Sequence, residues 1–229
     1  MKKPPDDDPG IRLREALRLL LEKCPFLAET CYWAGTAAIA VEELGHRQSF
    51  DLDFHTRRAL LDVRPILARI RAAFAKDFEL IHAPDEFGSG FLGLLTMPDG
   101  ERIAIEVLSN YEDAPEADLV PSATAANLLR VSLSRYLADK IQCVAEGMEA
   151  RDLYDVFAVL EARPSLAPRA RSLLAEQDAL LIGERLLAWS DAEIERDLRA
   201  YPGVDPEGAK NARERLLAWL REDAADGGA

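Results

Sequence analysis

The sequence predicts an α/β (α+β) chain, a mixed sheet flanked by helices and followed by an all-helical C-terminal domain. Three observations carry this. Residues 49–55 alternate strictly, with Phe50, Leu52 and Phe54 apolar and Ser49, Asp51, Asp53 and His55 polar, which is the period of a half-buried strand. Short β-type runs follow at 78–82, 91–97 and 102–108, the last two flanking Pro98-Asp99-Gly100, a strong hairpin turn. Beyond an acidic, proline-bearing stretch at 110–121, the patterned segments have helical period.

Taken in order, residues 11–23 set Leu13, Leu17, Leu20 and Leu21 on one helical stripe that ends at Pro25. Residues 26–34 are apolar and aromatic enough for a first strand, and 36–44 are good helix formers stopped by Gly45. After the alternating strand, residues 63–75 read as a helix on Val63, Ile66, Leu67, Ile70 and Phe74. The acidic stretch marks a boundary, giving domains over 1–118 and 119–229. In the second domain Leu133, Leu137, Ile141 and Val144 form one stripe, and Leu153, Val156, Phe157, Val159 and Leu160 another. Residues 173–189 and 211–220 have amphipathic helical patterns, with Tyr201-Pro202-Gly203 a loop between them.

Composition excludes several classes of function. Apolar residues make up 48% and charged residues 30% of 229, as in ordinary globular proteins. No apolar run is long enough to span a bilayer, so no membrane is expected. Residues 1–10 carry two lysines with no apolar core behind them, and read as a tail rather than a secretory signal. Cys24, Cys31 and Cys143 cannot all pair and lack metal-ligand spacing, which reads as reduced thiols in a cytoplasm. The net charge of −13 argues against a broad nucleic-acid-binding surface. Residues 46–76 nevertheless carry a local balance of +4, which suits a solvated helix face or a rim for a polyanionic co-substrate.

The chemistry concentrates between Trp33 and Thr56. Asp51 and Asp53 share one strand face with Cα atoms about 6.5 Å apart. Their oxygens are the hard ligands that Mg²⁺ prefers, although such a pair alone also fits a solvated outer face. Gly35-Thr36 follows an apolar run and opens a helix. That places free N–H groups where phosphate binds, or makes a plain turn and cap. Glu106 is the single acid in the apolar run 103–108 and shares parity with Ala104 and Leu108. Lys140 falls within an apolar helical arc, from which it either snorkels out or points at a phosphate. Asp152 lies at the edge of its helix's apolar face and Asp155 further toward solvent, and both acids could complement the helix dipole.

Two blocks carry a resemblance. Ala34-Gly35-Thr36-Ala37-Ala38 with His46-Arg47-Gln48-Ser49-Phe50-Asp51-Leu52-Asp53-Phe54 resembles the AbiEii/AbiGii-type nucleotidyltransferases of the DNA polymerase beta-like superfamily. Their signature reads approximately Gly-Gly-Thr-Ala-Leu, a short helix, then His-Arg-x-Ser-x-Asp-Leu-Asp-Phe. Lys140 and Arg151-Asp152-Leu153-Tyr154-Asp155 match the family's lysine and Arg-Asp-x-x-Asp in its helical part, so the likeness covers residues 26–160. Ala34 departs from it, standing where the family has glycine.

The resemblance implies the nucleotidyltransferase fold and transfer of a nucleoside monophosphate from an NTP with release of pyrophosphate. It implies Asp51, Asp53, Lys140 and Asp152 as catalytic residues, and Asp51, Asp53 and Glu106 as ligands of Mg²⁺ or Mn²⁺. Gly35, Thr36, Arg47, Ser49 and Lys140 would bind the nucleotide. The implied partners are a tRNA 3′ end or other RNA acceptor and, for a toxin, an antitoxin protein; no DNA is expected. A small-molecule or protein acceptor is the alternative within the class. A binding module with a degenerate site is the alternative outside it.

Overall fold

The computed structural model of the chain describes residues 9–147, 149–201 and 203–226. Residues 1–8 of the tail read over 1–10, and Pro202 of the 201–203 loop, lie outside them; Pro9 and Gly10 instead open a helix. The chain divides into two compact units that part between Ser132 and Leu133.

The first unit holds helices α1 (Pro9–Lys23), α2 (Phe26–Thr30), α3 (Gly35–Ile39) and α4 (Arg64–Phe74). Its strands are β1 (Cys31–Ala34), β2 (Asp51–Ala59), β3 (Phe78–His82), β4 (Gly90–Thr96), β5 (Arg102–Asn110), β6 (Leu119–Pro121) and β7 (Leu129–Val131). They form one mixed sheet in the order β3-β4-β5-β2-β1-β7-β6. The central β2 runs antiparallel to β1 and parallel to β5. The alternation read from the sequence is the burial pattern observed: Leu52, Phe54 and Thr56 are buried, while Asp51, Asp53 and His55 are half-exposed. In β5, Ile103, Ile105 and Val107 are buried and Ala104, Glu106 and Leu108 half-exposed. One sheet face therefore joins the core with Leu13, Leu17 and Leu20 of α1 and Ile66, Ile70 and Phe74 of α4. The other keeps its polar side chains accessible.

Several local expectations are corrected. Residues 26–30 form a helical turn rather than strand. Phe26 and Leu27 both point inward after Pro25, and the Thr30 hydroxyl donates to the Phe26 carbonyl at 2.9 Å, closing the turn. Phe50 does not alternate into the core; β2 begins one residue later, and Phe50 is 55% exposed. Past Ile39 the helix continues as a π-helical turn, Ala40–Leu44, and ends at Gly45 in left-handed conformation, φ +58°. Strands β6 and β7 lie past the 118/119 boundary read from the sequence. With three residues each they are too short to show a period, and they extend the sheet beyond β1, so the units part at 132/133.

The second unit is all helical: α5 (Leu133–Glu146), α6 (Ala150–Ala162), α7 (Ala167–Ala175), α8 (Ala179–Ala188), α9 (Asp191–Leu198) and α10 (Pro206–Asp226). The stripe Leu133, Leu137, Ile141, Val144 is buried as read. The segment read as one helix over 173–189 is broken at 176–178, where the Asp178 side chain caps the new helix by accepting from the Leu181 N–H at 3.0 Å. Helix α6 packs against both α5 and α10. Gly208 permits the close approach to α6, since a Cβ there would lie 2.6 Å from the Phe157 ring. Among the described residues no helix is long and apolar enough to cross a membrane.

Candidate active site

In the first unit the candidate residues converge at the beginning of β2. Ala34, the last residue of β1, pairs with Asp53, so the chain leaves β1 beside that carboxylate. Gly35 then turns with φ +68°, and a Cβ there would meet Asp53 Oδ2 at 1.8 Å. Only glycine satisfies both conditions. Ala34 itself has φ −112° and ψ −168°, an extended conformation open to any residue, so the alanine at this departure from the family signature brings no backbone strain.

Thr36 and Arg47 are both buried, and the guanidinium donates from Nη2 to Thr36 Oγ1 at 2.8 Å. This contact ties the beginning of α3 to the segment leading into β2. Ser49, also buried, donates from Oγ to Asp51 Oδ1 at 2.8 Å, orienting the first aspartate. Beside it a cavity of about 200 Å³ is lined by Ser49, Phe50, Arg12, Leu13, Arg102 and Ile103.

Glu106 on β5 stands directly opposite Asp53 on β2, and Asp51 lies opposite Ala104. Because β5 is flanked by β4 and β2, Glu106 is not on a sheet edge. Its carboxyl is pushed above the ordinary range, first by burial and then by the charge of Asp51, while His82 pulls it back. The three carboxylates thus share one half-exposed face, and two of them sense each other's charge. Among the described residues, no three His, Cys, Asp or Glu side chains are gathered closely enough to form a ready cation cage.

The basic stretch at 46–76 is not one patch. Arg47 is committed to Thr36, Arg64 pairs with Asp62 at 2.8 Å, and the Arg69 guanidinium stacks 3.5 Å above the Phe26 ring. Arg58, Arg64, Arg69, Arg71 and Lys76 are its exposed members, and Arg47 is buried.

In the second unit, Lys140 on α5 donates to Asp152 Oδ1 at 2.7 Å and lies 3.0 Å from Asp155 Oδ2. It does not snorkel; its side chain is 12% exposed. Burial alone would lower its pKa, but the charges of Asp155 and Asp152 outweigh that and hold it above the usual lysine value. Asp152 serves twice, because its Oδ2 also accepts the Glu149 N–H at 3.2 Å and completes a capping box for α6. Asp155 corrects the sequence reading outright. It is fully buried, 0% exposed, and belongs to the lysine's ion-pair cluster. The signal was present, since acids three apart on a helix share a face.

Glu42 went unrecognised in the sequence. In the π-helical turn, its buried carboxylate accepts from Ser122 Oγ (2.5 Å), the N–H groups of Ala123 (3.0 Å) and Thr124 (2.9 Å), and Arg130 Nε (2.9 Å). Burial would raise its pKa, but the hydrogen bonds from Ser122, Ala123 and Thr124 hold it below the ordinary value.

Comparison with known proteins places these residues in a family. JHP933 from Helicobacter pylori has a similar fold, with a TM-score of 0.54 at 18% identity, covering 95% of this chain and 95% of that one. MenT4, a nucleotidyltransferase toxin from Mycobacterium tuberculosis, superposes with a TM-score of 0.51 at 17% identity, covering 93% of this chain and 84% of that one. No curated protein matches the sequence. The family model for the nucleotidyl transferase AbiEii toxin of type IV toxin–antitoxin systems matches residues 18–222, and the chain, a nucleotidyltransferase carrying Asp51 and Asp53 on the central strand of its sheet, belongs to that family.

Proposed function

We propose that this nucleotidyltransferase moves a nucleoside monophosphate from an NTP to a hydroxyl group of an RNA, a tRNA 3′ end first among them, with a divalent cation. One observation carries the reading: Asp53 and Glu106 face each other on adjacent parallel strands, with Asp51 two residues away on the same half-exposed face. The donor set fits Mg²⁺ or Mn²⁺, because it consists of hard carboxylate oxygens, and burial followed by the charge of Asp51 already raises Glu106. Asp51, Asp53 and Glu106 would hold the metal, which when bound supplies charge neutralisation and alignment for an in-line displacement.

The chain's own residues do the rest. The acceptor hydroxyl gives up its proton to solvent as its oxygen bonds to the α-phosphorus, the bond from that phosphorus to the bridging oxygen breaks, and pyrophosphate leaves with its electron pair. Ser49 keeps Asp51 oriented, and Gly35 leaves room for Asp53. The N–H groups of Gly35 and Thr36 are donors for phosphate oxygens, and Arg47 adds fixed positive charge behind them. To Lys140 we assign charge compensation of the triphosphate, and to Asp152, joined by Asp155, the positioning of that lysine. An antitoxin protein as partner and a cytoplasmic setting follow from the same reading.

The net charge of −13 favours a second acceptor class, a small-molecule or protein hydroxyl. One experiment separates them: purified protein is incubated with each labelled NTP, Mg²⁺ and either total RNA, protein extract or metabolite extract. Label is expected in RNA. Asp53→Ala and Asp51→Ala are each expected to reduce transfer by at least 10³-fold, as is EDTA, with melting temperature unchanged. Full turnover by folded Asp53→Ala would remove the metal role, and label confined to protein or small molecules would replace the acceptor.

A further inference from the structure

The opposite end of the sheet carries a surface that catalysis does not use. Three loops leave there: 60–63 after β2, 83–89 before β4 and 111–118 after β5. Main-chain hydrogen bonds join them. Leu60 N–H donates to Asn110 O at 2.7 Å, Val63 N–H to Gly88 O at 3.0 Å, and Ser109 N–H to Ser89 O at 2.7 Å. Each loop displays one large apolar side chain: Leu60 is 75% exposed, Phe87 78% and Tyr111 87%. Leu60 does so from a left-handed backbone, φ +50°, which costs a leucine on the order of 1–2 kcal/mol and brings no burial in return. Glycine or asparagine would meet that turn more cheaply.

The charge around these three side chains is predominantly negative. Asp85, Glu86, Glu112, Asp113 and Glu116 are exposed on the same loops. The cations near them are few, with Arg64 already paired to Asp62 and Arg58 exposed at the end of β2. Two acids are structural. Asp85 accepts the Ser89 N–H at 2.9 Å, and Asp113 accepts the Ala59 N–H at 2.8 Å. Glu86, Glu112 and Glu116 lie outside those contacts. Such a surface repels nucleic acid and anionic lipid, and it repels a second copy of itself, because a two-fold contact would set like charges together. Its complement is a cationic protein.

We propose that Leu60, Phe87 and Tyr111, ringed by Glu86, Glu112 and Glu116, form a docking surface for a partner protein presenting apolar side chains within a positively charged segment. Measured along β2 and β5, this surface lies about 26 Å from Asp51, about 20 Å from Asp53 and about 13 Å from Glu106. Occupancy and transfer chemistry are therefore separable.

The test uses the full chain as bait for a phage-displayed random peptide library. Selected peptides are expected to carry net positive charge with at least one aromatic or large aliphatic residue. A synthesised winner should bind Leu60→Ser/Phe87→Ser/Tyr111→Ser at least tenfold more weakly and lose affinity as salt rises. A second variant, Glu86→Lys/Glu112→Lys/Glu116→Lys, leaves the loop-building acids in place and should lose binding likewise, so the proposal stands or falls even if the first variant fails to fold. NTP-dependent transfer by the charge variant should match wild type. The proposal is overturned by no enrichment, by acidic winners, by winners that bind the folded variants equally, or by a wild-type dimer that the variants dissolve.

Discussion

At residue 35 the sequence and the structure make the same demand for different reasons. The motif requires a glycine; the fold requires left-handed backbone with no Cβ under Asp53. Gly35→Ala should therefore lower stability by about 1–2 kcal/mol from backbone strain alone. Moving Asp53 should also cut transfer on the order of 10²-fold, as an ångström-scale misplacement does. Ala34→Gly is the control. Its extended backbone gains nothing from glycine, so turnover within twofold of wild type is expected, and a large increase would show that the methyl group obstructs the nucleotide. Glu106 supports a pH experiment. Its folded-state pKa lies above the unfolded value, so the folded state binds the extra proton and stability falls as pH rises through that window. Glu106→Gln should melt higher than wild type at pH 7, with the difference vanishing below about pH 4. An equal offset at both pH values would point to packing rather than charge.

Elements with a strong period were legible in the sequence, and those held by tertiary contact were not. β2 and β5 show their alternation because one face is core and the other is half-exposed. α2 was hidden because five residues are too few to display a period, and β6 and β7 because each is three residues long. The pairing of α5 with α6 was half legible. Lys140 and Asp152 follow from motif and spacing, but the burial of Asp155 depends on how closely the two helices pack. That cluster predicts a stability effect. Lys140→Ala leaves two aspartates buried without their cation and should cost about 3–5 kcal/mol in chemical denaturation, with Asp155→Asn costing less. A loss under about 1 kcal/mol would mean that water reaches the pair. Transfer assays on Lys140 variants accordingly need a folded-fraction measurement beside them.

For the whole molecule, charge distribution limits how the proposed RNA acceptor could be held. The stretch at 46–76 has a net +4 in the sequence, yet Arg47, Arg64 and Arg69 have partners within the fold. Arg64 and Arg69 are exposed but engaged with Asp62 and Phe26, so Arg58, Arg71 and Lys76 offer about three phosphate contacts and a slope of about −2 in log K against log salt for single-stranded RNA. A slope near −5 would mean that the whole stretch engages phosphate. The Glu42 cluster has a practical consequence for anyone dissecting the molecule. A fragment ending at 118 would strip Ser122, Ala123, Thr124 and Arg130 from that carboxylate, stranding an anion inside the scaffold that presents Gly35 and Thr36. A truncation carried on to Ser132 keeps those partners, so the shorter fragment's failure to fold would report on the cut, not on the catalytic apparatus.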